Sequence, residues 1–136
     1  MGLDDIPVTV ENMSGGLTGH AQAVLGEIAA LLQRLLATGE GGAIDLTSLP
    51  FSPADRDWLA QRLGRGEVEI GLMAAGLSTF HETDLPGVWW VSHHNEAGVR
   101  VSELIEVARV PELVLAHPDD VKIGLKRLND LINDLN

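Results

Sequence analysis

Four side chains in the middle of the chain have the types that bind metal ions: His81, His93, His94 and Glu96. Imidazole and carboxylate groups are ligands for nickel, zinc and iron. Adjacent residues of a strand point to opposite faces, so His93 and His94 can reach one ion only if the chain bends between them. A metal- or small-ligand-binding site built from these residues is therefore one hypothesis. The competing interpretation is that the histidines are exposed at the end of a hairpin.

Two further motifs suggest chemistry but lack the residues that would complete it. Glu67 and Glu82 could meet across neighbouring strands, where paired carboxylates perform acid-base catalysis, although solvated surface acids are the commoner outcome. Gly64 and Gly66 suggest a phosphate-binding loop, but no Gly-Lys-Ser/Thr follows and they come after a predicted helix. The residue order does not indicate a Ser-His-Asp triad. The sequence therefore favours recognition over catalysis and predicts neither an enzyme nor a bound cofactor.

Composition narrows the class of partner. The chain has 136 residues, of which 45% are hydrophobic, which is enough for one ordinary domain to form a core. Its 20 acidic and 9 basic residues give a net charge of -11, so phosphate backbones and anionic lipids are repelled. There is no cysteine, which excludes disulfides and thiolate metal sites within the chain. Nucleic acid and membrane surfaces are therefore not expected partners.

The first residues of the chain show no targeting signal. Asp4 and Asp5 stand where a secretory peptide needs positive charge, and no apolar run approaches the ~20 residues that span a bilayer. A cytoplasmic protein is expected. Three glycines and no sustained periodicity predict a flexible tail over residues 1–17, followed by a single α+β domain over residues 18–136.

The elements that must position these residues begin with three predicted helices. The first starts at Thr18 and stops at Gly39, with apolar residues recurring every three and four positions. The second is capped by Ser52, with proline in its first turn, and ends near Leu63. The third opens at Pro118 and has an apolar face formed by Val121, Leu125, Leu128, Leu131 and Ile132.

Between the last two helices the chain is predicted to be extended. Short spacers separate the segments 67–74, 77–83, 88–93 and 99–110, although a helix remains an alternative for 101–107. A further short extended piece is predicted at 44–46. Short connections favour antiparallel pairing, because parallel strands need long crossovers. The predicted fold is α+β, an antiparallel β-meander of about four strands with helices packed on one face.

Trp89 and Trp90 are adjacent in a predicted strand, so their side chains point to opposite faces of the sheet. If Val88 and Trp90 face the core, Trp89 is an exposed aromatic anchor for a partner. The reverse register exposes Trp90 instead. A third interpretation is that helices and terminal segments cover both rings.

Several separated motifs together carry a family resemblance. They are Leu49-Pro50, Leu63-Gly64-Arg65-Gly66-Glu67-Val68, Glu82-Thr83, Gly87-Val88-Trp89, Glu106-Val107-Ala108 and Val110-Pro111. In order and spacing, over roughly residues 46–115, the chain resembles the hydrogenase expression/formation protein family (HupH/HyaF). Members of that family are typically longer, so the resemblance is to their conserved C-terminal domain.

The resemblance implies a chaperone-like accessory protein, without turnover, in the maturation of uptake nickel-iron hydrogenase. The implied partner is the precursor of the small, iron-sulfur-bearing subunit, or another maturation protein. The negative charge of this chain would match a basic surface or the twin-arginine export signal of the small subunit. The hypothesised contact residues are Gly66, Glu67, Glu82, Thr83, Gly87, Trp89 and Trp90. A homodimer is also expected, since an open meander leaves edge strands and an apolar helix face to cover.

Overall fold

The computed structural model describes residues 16 to 135, so the predicted N-terminal tail lies almost wholly outside the described residues. The helices are α1 (His20–Thr38), α2 (Pro53–Leu63) and α3 (Pro118–Asp134), with one short 3-10 helix (Glu112–Val114). The strands are β1 (Gly42–Asp45), β2 (Glu69–Ala74), β3 (Gly76–Glu82), β4 (Val88–His94) and β5 (Arg100–Val107). The predicted α+β class is confirmed.

The five strands form one antiparallel sheet in the order β1-β5-β4-β3-β2. Strands β2 to β5 are the predicted meander. The count is five rather than four because β1 adds to the outer edge of β5, with Ile44 opposite Ile105. The helical alternative for residues 101–107 is wrong, since they pair with β4 on one side and partly with β1 on the other.

The two faces of the sheet are covered differently. On one face α1 and α2 pack against Val88, Trp90, Ile105 and Val107, using chiefly their own buried residues Ala21, Val24, Ile28, Leu59 and Leu63. On the other face Phe80, Trp89 and Val91 form a second cluster, with Val114 from the 3-10 segment packed against it. Each face of β4 is therefore buried, and no period-two alternation of polar residues marks this strand.

The start of α2 is held by a network around a buried carboxylate. Ser52 is the N-cap, as predicted, and its hydroxyl accepts a hydrogen bond from the backbone N–H of Asp55 at 3.1 Å. The Asp55 carboxylate accepts in return from the Ser52 backbone N–H at 3.0 Å, which completes a capping box. It also accepts from the backbone N–H of Thr18 at 2.9 Å and from the Thr18 hydroxyl. This joins the chain before α1 to the start of α2.

Replacing Asp55 with asparagine is expected to destabilise the protein by about 2 kcal/mol. The carboxylate is fully buried and accepts from three donors, and an amide would turn a donor toward them. Urea unfolding of the two proteins measures the difference. Asp57→Asn, an exposed position on the same helix, is the control and should change stability by no more than ~0.5 kcal/mol.

Helix α3 does not join the helical layer. Every residue from Leu115 to Leu135 is exposed, including the apolar residues of its predicted face. Within residues 16–135, no helix is both long enough and apolar enough to cross a membrane.

Candidate functional site

Most of the motif residues meet at one end of the sheet, where the chain leaves α2 and turns between β3 and β4, while Leu49 lies near the start of β5. We call residues 64–67, 82–87 and 108 the motif corner. Backbone hydrogen bonds hold it together: Asp84 N–H donates to the Leu63 carbonyl at 2.8 Å, and Gly66 N–H donates to the Glu82 carbonyl at 2.7 Å. The corner is therefore a rigid junction of three segments that are far apart in sequence.

Two glycines are required by this junction. Gly64 has φ 67° and ψ -164°, a conformation that side chains strongly disfavour, and it ends α2 with its N–H bonded to the Ala60 carbonyl. Gly66 lies so close to the next segment that a Cβ would stand 2.6 Å from the Thr83 carbonyl oxygen. These glycines follow a helix C-terminus, and the phosphate-loop interpretation, which needs a helix N-terminus, has no support in this geometry.

Thr83 organises the turn between β3 and β4 and is 1% exposed. Its hydroxyl donates to the Val88 carbonyl at 2.9 Å and accepts from the Leu85 N–H at 3.1 Å. Gly87, at φ 90°, closes the turn, and its carbonyl accepts from the Ala108 N–H at 3.0 Å. Thr83 and Gly87, both hypothesised partner contacts, thus shape the corner, and the Thr83 side chain is not on its surface.

Both tryptophans are buried, Trp89 with 5% and Trp90 with 3% of its surface exposed. They do point to opposite faces, as predicted. Trp89 packs with Phe80 and Val91 and donates from its indole N–H to the Ala108 carbonyl at 3.1 Å. The interpretation of Trp89 as an exposed anchor is wrong, because the chain after β5 covers the face that carries no helix. The interpretation that both rings are covered is confirmed.

The accessible part of the motif corner is acidic overall, with three carboxylates against one cation, Arg65, whose side chain is 62% exposed. Glu67 and Asp84 are exposed, Glu82 is half-buried, and Leu85 is 42% exposed beside the exposed Pro86. Sequence reasoning identified the two glutamates but missed Asp84 and Leu85. The sequence did contain a signal for the exposure of Asp84 and Leu85, because the Leu85-Pro86-Gly87 run predicts a turn and turn residues are commonly exposed.

The candidate metal ligands do not converge. His81 stacks on Trp90 on the face covered by helices, with ring centroids 6.3 Å apart. His93 lies on the other face, where its Nδ1 and the Ser78 hydroxyl are 2.6 Å apart and its ring meets the edge of Phe80. His94 Nδ1 is buried without a hydrogen-bond partner among the described residues. Residues 16–135 contain no group of three or more His, Asp or Glu side chains arranged to hold a metal ion.

A polar network beside Trp90 was not predicted. Both Glu103 carboxylate oxygens accept from the Arg56 guanidinium, each at 2.7 Å, and one also accepts from the Trp90 indole N–H at 2.9 Å. Arg100 lies 3.5 Å from the same carboxylate. Both cations are thus directed at Glu103, and the network is a structural tie between α2, β4 and β5. No sequence pattern reveals such a contact, because its members are far apart along the chain.

The pKa values of Glu103 and His81, which both contact Trp90, are lowered for different reasons. Burial of Glu103 disfavours its charge, but hydrogen bonds from Arg56 and Trp90 and the positive charges of Arg56 and Arg100 outweigh burial and lower its pKa. Burial also lowers the pKa of His81, and the charge of Arg65 adds to that effect. The neutral imidazole is therefore favoured where His81 stacks on the indole.

Together, the fold and the motif corner define a small α+β domain in which Gly66, Thr83 and Gly87 hold backbone segments in place. The chain belongs to the family of the HupH hydrogenase expression protein, C-terminal conserved region, whose profile matches residues 19–135.

Relatives and a solved structure agree with this assignment. The hydrogenase expression/formation protein HoxQ of Azotobacter vinelandii is 34% identical over 99 residues, which are 73% of this chain and 34% of HoxQ. The hydrogenase-1 operon protein HyaF of Escherichia coli K12 is 34% identical over 89 residues, 65% of this chain and 31% of HyaF. The chain therefore spans about a third of the length of these relatives.

The solved structure is that of the hydrogenase expression protein HupH from Thiobacillus denitrificans. It superimposes with a TM-score of 0.82 at 45% sequence identity, and the match covers 86% of this chain and 98% of that one. The fold is therefore shared over almost the whole of that structure.

Proposed function

We propose that this chain is a non-enzymatic binding module in the maturation of nickel-iron hydrogenase and that its partner is the precursor of the small subunit. The observation that carries the proposal is membership of a family whose relatives are named for hydrogenase expression and formation. The geometry supports binding over turnover, because Gly66, Thr83 and Gly87 make backbone contacts within the motif corner.

The proposed contact is the exposed part of the motif corner. Glu67, Glu82 and Asp84 form a rim that stays net negative beside the exposed Arg65, and Leu85 supplies apolar area there. The corner is held rigid by backbone bonds, so little ordering is needed when a partner binds. A rigid acidic rim with one apolar side chain suits a basic segment that carries an apolar residue.

Charge supports a basic partner. The chain has a net charge of -11, and oppositely charged partners are steered toward such a surface, with rates that fall as salt rises. The twin-arginine export signal of a small-subunit precursor has the matching sign. Binding should therefore weaken steeply between low and high salt.

The test is the affinity of the purified chain for small-subunit precursor, measured by titration calorimetry. Asp84→Lys should weaken binding about tenfold, because it reverses one of the three negative charges of the rim. Glu96→Lys is the matched control, since it makes the same change at an exposed position in the turn after β4, at the other end of that strand. Its affinity should stay within about twofold of wild type.

Three results would contradict the proposal: no measurable binding of precursor, equal effects of the two substitutions, or binding that high salt leaves unchanged. Trp89→Ala does not serve as a probe of the surface, because it removes a buried side chain and would weaken the fold itself.

A further inference from the structure

Helix α3 carries a regular apolar stripe that nothing among the described residues covers. Its members recur at alternating steps of four and three: Val121, Leu125, Leu128 and Ile132 in the helix, then Leu135 at its C-cap. This is the spacing of the a and d positions of a heptad, which place a narrow seam along one side of a helix. All five side chains are exposed, by 48% to 86%.

A helix of this kind needs a partner. It has 17 residues and no buried residue, whereas most helices in proteins owe their stability to the packing of an amphipathic face. We propose that α3 pairs with α3 of a second copy of this chain, as an antiparallel two-helix coiled coil, and so makes the protein a homodimer.

The heptad identifies the occupant as another helix with the same repeat. In an antiparallel pair the layers place Val121 against Ile132 of the second copy and Leu125 against Leu128 of the second copy. Helices α1 and α2 offer no such seam, because their apolar residues are already buried against the sheet. Among the helices of residues 16–135, α3 is the one with an uncovered heptad stripe, so its partner is α3 of another copy.

The residues beside the seam also suit self-pairing. In the same register Lys122 of one copy lies opposite Asn129 of the second copy, so no like charges face each other there. On the other side Gly124 lies opposite Leu131 of the second copy. A glycine inside a helix is destabilising unless packing requires it, and here it leaves room for the leucine. In one copy, a Cβ on Gly124 would meet no atom within 4 Å.

Charge decides the orientation. Each copy has a net charge of -11, whereas α3, with three basic and four acidic residues, has a net charge of -1, so most of the negative charge lies outside this helix. A parallel pair would bring two acidic sheets to the same end of the coiled coil. An antiparallel pair separates them by about the helix length, ~25 Å. That distance exceeds the ~8 Å over which charge acts at physiological salt.

The expected dimer is weak. Five seam residues and Leu131 on each helix bury on the order of 1,000 Å² in total, at the low end of specific interfaces. We therefore expect a dissociation constant in the micromolar range, roughly 1 to 100 μM.

Sedimentation equilibrium over a series of concentrations tests the proposal. Leu128→Lys keeps helix propensity but places a charge in the seam, and it should raise the dissociation constant about 100-fold or more. Ile123→Lys is the matched control, because Ile123 is an exposed apolar residue of the same helix that points away from the seam. The control should dimerise like wild type. The emission of the buried tryptophans confirms that the body of each variant is folded.

Cross-linking tests the orientation, and the absence of native cysteine makes it direct. A mixture of Val121→Cys and Ile132→Cys should form the mixed disulfide on oxidation, while neither variant alone should do so readily. Homodisulfides of each variant alone would overturn the antiparallel arrangement. A monomer at every concentration up to the millimolar range, or a dimer that Leu128→Lys leaves intact, would overturn the pairing of α3.

Discussion

Replacing Glu103 with alanine is expected to destabilise the protein by about 3 kcal/mol, a large part of the stability of a domain this size. Glu103 is 7% exposed and accepts from Arg56 and from the Trp90 indole. Its removal leaves a buried indole N–H without a partner and a partly buried guanidinium without its counter-ion. The Arg56 guanidinium also lies over the Trp90 ring, 5.5 Å from its centroid, so losing its anchor loosens that contact.

Urea unfolding, followed by tryptophan emission, measures the loss. Glu69→Ala is the control, because Glu69 also pairs with an arginine, Arg65, but both side chains are more than 60% exposed. An exposed pair of this kind contributes about 0.5 kcal/mol or less. Equal effects of the two substitutions would show that burial does not determine the strength of the Glu103 pair.

The same carboxylate predicts a pH dependence with a definite sign. The pKa of Glu103 is lowered in the folded protein, while in the unfolded chain it is about 4.3. Its ionised form therefore stabilises the folded state above about pH 4.3, and this contribution is lost as the pH falls through the folded pKa. Glu103→Gln removes the titrating group, so the stability difference between wild type and this variant should shrink from pH 6 to pH 3.

Replacing Gly66 with alanine is expected to cost about 2 to 3 kcal/mol. The new Cβ would stand 2.6 Å from the Thr83 carbonyl oxygen and 2.9 Å from a carboxylate oxygen of Glu82. The carbonyl belongs to the backbone of the motif corner, which cannot move without breaking the bond from Gly66 N–H to Glu82. Close packing of two segments thus explains why glycine suits this position.

Gly26→Ala is the control for this substitution. Gly26 lies inside α1, and a Cβ there would meet no atom within 4 Å. Alanine is the better helix former by about 1 kcal/mol, so this variant should be more stable than wild type. Opposite signs for the two glycines in urea unfolding are the expected result. A neutral Gly66→Ala would mean that the corner is not as tightly packed as its distances indicate.

Local signals made much of the fold predictable. Ser52, Pro53 and Asp55 fix the start of α2 because a cap, a first-turn proline and an acid act within one turn of chain. The short connections from β2 to β5 fix antiparallel neighbours, because connections of one to five residues cannot carry a crossover. Strand β1 was harder to predict, because four residues give too little pattern and its pairing partner is β5, far along the chain.

The turn that carries the motif corner was predictable from the sequence, because Leu85-Pro86-Gly87 is a strong local turn signal and residues 83–87 do connect β3 and β4. The role of its residues as a partner contact stays a prediction. Alternation along β4 also correctly sent Trp89 and Trp90 to opposite faces. Whether either ring was exposed depended on what lies above each face, and that is set by Ala108 and Val114 for Trp89 and by α2 and Glu103 for Trp90.

The sequence by itself therefore determined the α+β class, the order of the helices and meander strands, the caps and turns, and the heptad along α3. Each is a property of residues close together in the chain, where backbone geometry and side-chain type are sufficient. The tertiary structure alone decided the burial of both tryptophans, the separation of His81 from His93, and the bond between Arg56 and Glu103 across 47 residues. These depend on which distant segments meet, and that is decided by packing the whole sheet.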